Sequence, residues 1–192
     1  MTILDDFNLC VHNDWTTSPL GVQYTVKGNT LYFQCSRDIK DWMYNLAITV
    51  SAYKQGERLF LMHMGFKMLW HDVRDEIAKL SFKNIRGYSQ GAVMACMAHE
   101  DRLLHHGFIC DTTVFGCPKF LFMPSEDLKD MFIGVLRIEN EDDLVTKVPP
   151  FYSHIGECIK LPKKHNKPEG ISVLEYLSGH SPYQYRHNLE AL

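Results

Sequence analysis

The chain lacks an apolar run near the roughly 20 residues that a membrane-spanning helix requires. It also lacks a strong field, because its net charge of -3 draws neither nucleic acid nor an anionic bilayer. No Cys-x-x-Cys pair occurs among Cys10, Cys35, Cys96, Cys110, Cys117 and Cys158, which argues against a zinc ribbon or a thioredoxin-like redox centre. The first residues, Met1-Thr2-Ile3-Leu4-Asp5-Asp6-Phe7, are acidic and carry no basic segment followed by an apolar run, so no signal peptide is read. Scattered cysteines without an export signal point to free, mostly buried thiols in a reducing, cytoplasmic setting. Repeats and low-complexity segments are missing too. What remains is ordinary globular material: 192 residues, 45% hydrophobic, enough for one domain over 1–192 with a sizeable core.

The pattern alternates between two periods. Val22-Gln23-Tyr24-Thr25-Val26 and Leu31-Tyr32-Phe33-Gln34-Cys35 flank a turn at Lys27-Gly28-Asn29-Thr30 and predict an antiparallel hairpin with a four-residue loop. Asp38 can cap a helix starting at Ile39, which continues weakly through 47–56. Arg58–His63 reads as a short extended segment. Apolar residues at 66, 69, 70, 73, 77 and 80 have helical spacing. A strand over 83–88 and a helix closed by Gly107 follow. Thr112–Phe115, Ile133–Glu139 and Glu157–Leu161 read as further strands. A polar loop over 163–170 and a short helix over Val173–Leu177 lead to Gly179-His180-Ser181-Pro182-Tyr183, in which Ser178–Ser181 could form a polar turn. Residues 1–20 read as a lead-in with at most a short helix. Strands alternating with helices imply an α/β fold with a mostly parallel sheet and an N-terminal antiparallel hairpin.

Gly87-Tyr88-Ser89-Gln90-Gly91 has the form Gly-x-Ser-x-Gly and lies between a predicted strand and a predicted helix, the context of a nucleophile elbow. A tight strand-to-helix turn brings backbones together, and a Cβ at Gly87 or Gly91 would collide with them. Such a turn exposes the Ser89 hydroxyl and leaves the Gln90 N–H facing the same space. A nucleophilic serine needs a base, usually His, and an acid to orient it. Chemistry in open α/β sheets collects at the carboxyl ends of strands. There the sequence offers Ser36, the acidic run Asn140-Glu141-Asp142-Asp143, and His180. Ser36 could equally cap a helix, Asp143 could hold an Asx turn before Pro149-Pro150, and His154, His165 and His187 rival His180.

Together these pieces resemble the class 3, fungal-type lipase family of the α/β-hydrolases. Thr113-Val114-Phe115-Gly116-Cys117-Pro118 is similar to the family's Thr-Phe-Gly-x-Pro. Arg137 through Pro150 resembles its Arg-x-x-Asn-x-x-Asp segment, with Asp143 on the family's aspartate. Tyr152-Ser153-His154-Ile155-Gly156 resembles Tyr-x-His-x-Gly, which gives His154 a structural part. His180-Ser181-Pro182-Tyr183 resembles His-x-x-Tyr, which carries the base. Phe33-Gln34-Cys35-Ser36 resembles the segment that contributes to an oxyanion hole, Asp38–Leu46 the following Asp-Trp segment, and Met62-His63-Met64-Gly65-Phe66 the family's Val-His-x-Gly-Phe. The match runs over residues 31–183. The chain departs from it at Cys35, Tyr88, Gln90 and Thr146, where the family has Gly, His, Leu and Pro.

The resemblance implies an α/β-hydrolase fold with helices on both sheet faces. It implies a serine ester hydrolase acting on lipid or other acyl esters, with Ser89, Asp143 and His180 catalytic and Ser36 and Gln90 holding the oxyanion. Trp42 and Met43, with Tyr88 beside the serine, would line the acyl pocket, although the Trp42 segment reads equally as a core-facing stripe. No metal or organic cofactor is implied. The expected partner is a small-molecule or lipid ester, with no nucleic acid and at most transient contact with a membrane surface. Two other readings stay open: a non-catalytic binding protein that keeps the fold, and thioester, amide or acyl-transfer chemistry by the same three residues.

Overall fold

The computed structural model describes residues 2–12, 14–34, 49–162 and 179–191. The expectations for Cys35, Ser36, Asp38, Trp42, Met43, the 163–170 loop, His165 and Val173–Leu177 lie outside these residues.

A seven-stranded sheet forms the frame. Its strands are β1 (Thr16–Thr17), β2 (Gln23–Lys27), β3 (Thr30–Phe33), β6 (Asn84–Tyr88), β7 (Asp111–Phe115), β9 (Val135–Asn140) and β11 (Glu157–Leu161), side by side in that order. The β1–β2 and β2–β3 pairs are antiparallel, and every pair from β3 to β11 is parallel. The expected hairpin is therefore present, but Lys27 pairs directly with Thr30, so its loop is only Gly28-Asn29.

Strand alternation divides the core. Leu31, Phe33, Ile85, Val114 and Val135 join one apolar cluster with residues of α2 (Met64–Ile77) and α3 (Gln90–His106). Tyr32, Tyr88, Phe115 and Ile138 join a second with Phe7 of α1 (Ile3–Val11) and Tyr185 and Leu189 of α5 (Pro182–Leu189). Helices thus cover both faces, as expected for this fold class. Helix α3 is buried on every side from Gln90 to Asp101, which is why its first turns use Gly91, Ala92, Ala95 and Ala98.

Three elements differ from the sequence reading. The residues read as a weak helical continuation form β4 (Val50–Gln55), which pairs antiparallel with β5 (Arg58–His63) around Gly56. Together with β8 (Leu121–Phe122) and β10 (Tyr152–Ser153) they make a second, four-stranded sheet. The lead-in contains helix α1, which buries Asp6, Phe7 and Cys10. Its capping box between Thr2 and Asp5 fixes the start, and Asp6 receives Arg86 Nε at 2.7 Å and the Tyr32 hydroxyl at 3.1 Å. Arg86 also donates to Asp111 Oδ2 at 3.0 Å, so one buried guanidinium ties α1 to the middle of the sheet. The tail read as a turn continues into α5. There the Ser181 side chain accepts from the Gln184 N–H at 3.1 Å, and Pro182 takes the first helical position, where no N–H is needed.

Glu100 of α3 is wholly buried, and neither carboxyl oxygen has a hydrogen-bond partner among the described residues. Burial first, and then the neighbouring Asp101 charge, pushes its pKa up to about 7. The folded protein then holds a proton that the unfolded chain releases above about pH 4.5. Stability is therefore complete below that pH and is lost as pH rises through 7. His99, buried in the same helix, and half-buried His154 are pushed down to about 4, chiefly by burial, and act oppositely, losing stability as pH falls from 6.5 toward 4. In urea unfolding, Glu100→Gln should gain about 3 kcal/mol more at pH 8 than at pH 4, the size of a shift of two to three pKa units. An equal effect at both pH values would mean that Glu100 is not protonated by its burial.

Candidate active site

Ser89 follows β6 and opens α3 with φ 59 and ψ -121, a left-side conformation that a residue with a Cβ rarely holds. Two close approaches keep it there. A Cβ on Gly87 would stand 2.4 Å from the Gly91 carbonyl oxygen, and one on Gly91 would stand 2.5 Å from the Gln34 carbonyl oxygen. The first turn of α3 therefore presses against both β6 and the end of β3. The Ser89 N–H donates to the Phe115 carbonyl at 2.9 Å, which locks the turn to the neighbouring strand. The Gln90 N–H belongs to the first helical turn, whose amides have no acceptor within the helix.

Asp143, just beyond β9, and His180, just before α5, meet Ser89. His180 Nε2 lies 2.7 Å from Ser89 Oγ, and His180 Nδ1 lies 2.8 Å from Asp143 Oδ2. A carboxylate only accepts, so Nδ1 carries the ring proton and the Ser89 hydroxyl donates to Nε2. All three side chains are buried. Asp143 Oδ2 also accepts from the Tyr185 hydroxyl at 2.8 Å, while Oδ1 accepts from the Val145 N–H at 2.8 Å. The second bond is the Asx turn considered from sequence, so Asp143 both shapes its loop and holds the imidazole. Thr146, standing where the family has Pro, donates its hydroxyl to the Asp143 carbonyl at 3.0 Å.

Buried amides fix the outer loops. Asn140 Nδ2 donates to the Gly179 carbonyl at 2.7 Å, and Asn188 Nδ2 donates to Asn140 Oδ1 at 2.8 Å, so β9, the residue before His180 and α5 are joined. Gly116 (φ 56) leaves the space where these groups converge: a Cβ there would lie 2.9 Å from His180 Cε1, 3.0 Å from the Tyr185 hydroxyl and 3.1 Å from Asp143 Oδ2.

Of the rival histidines, the two among the described residues are elsewhere. His154 lies 3.8 Å from Glu139, and the His187 ring stacks on Tyr183. Tyr185 rather than Tyr183 of the His-x-x-Tyr stretch reaches Asp143; the legible signal for it was the Ser181-Pro182 helix start, which puts Tyr185 and Leu189 on one face. Tyr88 is corrected. It is 1% exposed, packs among Phe7, Phe115 and Tyr185, and lines the back of His180 rather than a substrate pocket. The second oxyanion donor and the acyl-pocket residues expected at Ser36, Trp42 and Met43 lie outside the described residues. Two surface clefts of about 260 and 240 Å³ lie along β5, the first beside α4 (Glu126–Asp130) and the second beside β8, and neither is lined by Ser89, Asp143 or His180. Among the described residues no group of three His, Cys, Asp or Glu side chains gathers as metal ligands would.

Gly91→Ala should cost about 1–3 kcal/mol in denaturant unfolding, because its Cβ meets backbone atoms of β3 that cannot rotate away. An unchanged midpoint would mean that the elbow is not tightly packed against β3.

No protein-family model and no curated protein matches the sequence. Solved structures do match. Rhizomucor miehei triacylglyceride lipase superposes with a TM-score of 0.60 at 17% identity, over 77% of this chain and 65% of its own. Lipase II from Rhizopus niveus gives 0.60 at 19% identity, over 77% and 65%. Lip2 lipase from Yarrowia lipolytica gives 0.57 at 14% identity, over 73% and 61%. The chain thus spans less than two thirds of the length of these fungal class 3 lipases. At such identities the likeness concerns architecture, and the architecture it establishes for this chain is the α/β-hydrolase fold.

Proposed function

We propose that the protein is a serine carboxylic-ester hydrolase acting on lipid or other acyl esters. The observation that carries this reading is the unbroken hydrogen-bond chain from Ser89 Oγ through His180 to Asp143. Three buried polar side chains drawn from three separate parts of the chain, one of them on a strained backbone, have a ready account in acyl transfer. The lipase likeness supports the same reaction class.

Ser89 Oγ attacks the acyl carbonyl as His180 Nε2 takes its proton. The Asp143 carboxylate holds the ring through Nδ1–H and stabilises the imidazolium that forms. The Gln90 N–H, with Ser36 as expected from sequence, holds the negative oxygen of the tetrahedral intermediate. His180 returns the proton to the leaving alcohol oxygen, leaving an acyl group on Ser89. Water, deprotonated by His180, then attacks the acyl-enzyme and releases the acid and free Ser89. None of these steps calls on a metal or organic cofactor.

A fluorophosphonate probe should label the wild type and fail to label Ser89→Ala. His180→Ala should slow labelling by about 10⁴-fold or more, and Asp143→Asn by up to about 10⁴-fold, the scale found for such groups in acyl transfer. Folded wild-type protein left unlabelled would overturn the reading. Turnover of p-nitrophenyl esters of rising chain length then distinguishes a short-chain esterase from a lipase.

A further inference from the structure

We propose that Tyr88 is a positioning residue for His180, holding its main chain and supporting its ring when the ring becomes charged. This rests on the hydrolase reading of the same site. Tyr88 ends β6, immediately before Ser89, yet its side chain points to the α1 and α5 face of the sheet. There it makes two separate contacts with His180. Its hydroxyl donates to the His180 backbone carbonyl in a buried hydrogen bond. Its ring lies nearly parallel to the imidazole, with centroids 5.1 Å apart and planes 20° apart.

The two contacts act on different things. The hydroxyl fixes the chain at the residue before Ser181, the cap of α5, so the imidazole cannot slide along Ser89. The ring covers one imidazole face, while the Tyr185 ring meets it edge-on at 86°. An aromatic face within about 6 Å attracts a cation more than a neutral ring. His180 becomes a cation only after taking the Ser89 proton, so the contact strengthens as the reaction proceeds, the condition for raising rate rather than substrate affinity. Tyr88 is itself held by Phe7 at 5.3 Å and Tyr185 at 5.7 Å, so α1 and α5 brace the clamp. Tyrosine at this position is also one of the chain's departures from the family pattern, which has His.

Tyr88→Phe removes the hydroxyl and keeps the ring; Tyr88→Leu removes both. With active sites counted by fluorophosphonate titration, Tyr88→Phe should lower kcat on a p-nitrophenyl ester by about tenfold, and Tyr88→Leu by about a hundredfold, each with KM within about twofold. The downfield proton NMR signal of the Nδ1–H donated to Asp143 should broaden or shift in both variants. Wild-type kcat together with an unchanged signal in folded Tyr88→Phe and Tyr88→Leu would overturn the proposal. If Tyr88→Leu does not fold, Tyr88→Phe decides alone, because its packed ring is retained. The NMR arm needs no substrate. If wild type proves unreactive to the probe, the hydrolase reading falls, and an unchanged signal in the variants would overturn the clamp separately.

Discussion

A buried carboxylate with no Lys or Arg paired to it among the described residues is the constraint around which the site is arranged. Asp143 is wholly buried, and it is satisfied by three donors: the His180 ring, the Tyr185 hydroxyl and the Val145 N–H. Leaving such a group unpaired would cost several kcal/mol, so the three donors are drawn to fixed places. Each donor in turn fixes an element. Val145 fixes the loop after β9, Tyr185 fixes α5, and His180 fixes the segment that precedes it. Gly116 answers the same demand from β7, since any side chain there would stand among the converging atoms.

Much of this was legible because sequence periods follow burial. Parallel strands covered on both faces carry short apolar stretches, as β7 and β9 do, whereas β11 is exposed except at Leu161. The elbow was legible from steric need at Gly87 and Gly91. Asp143 and His180 were singled out by chain order and by lying beyond strand ends, and the structure brings them to Ser89.

Other elements were hidden for physical reasons. In β4, buried Gln55 donates its Nε2–H to Asp101 and accepts the Tyr53 hydroxyl at Oε1, so a polar residue occupies a core position and breaks the alternation. Helix α1 carried a signal that was passed over, namely apolar residues at 3, 4, 7, 10 and 11 behind the Thr2 and Asp5 capping pair. Tyr88 adjoins the serine in sequence but not in the space that the serine faces. Alternation along β6 sends its side chain to the opposite face from Gly87, and that face belongs to α1.

The role of α1 follows from this alternation. An imidazole that must reach both Ser89 and Asp143 needs a floor, and the second sheet face supplies it with Tyr88, Phe115 and Tyr185 gathered around Phe7. Arg86, two residues before Tyr88 and on the same face, draws Asp6 of α1 down onto the strand. One helix therefore both neutralises a buried guanidinium and packs the aromatic group beneath His180. Side-chain order at the site thus depends on residues some eighty positions earlier in the chain, through a salt bridge at Asp6 in the middle of α1 and an aromatic cluster at Phe7, the next residue along it.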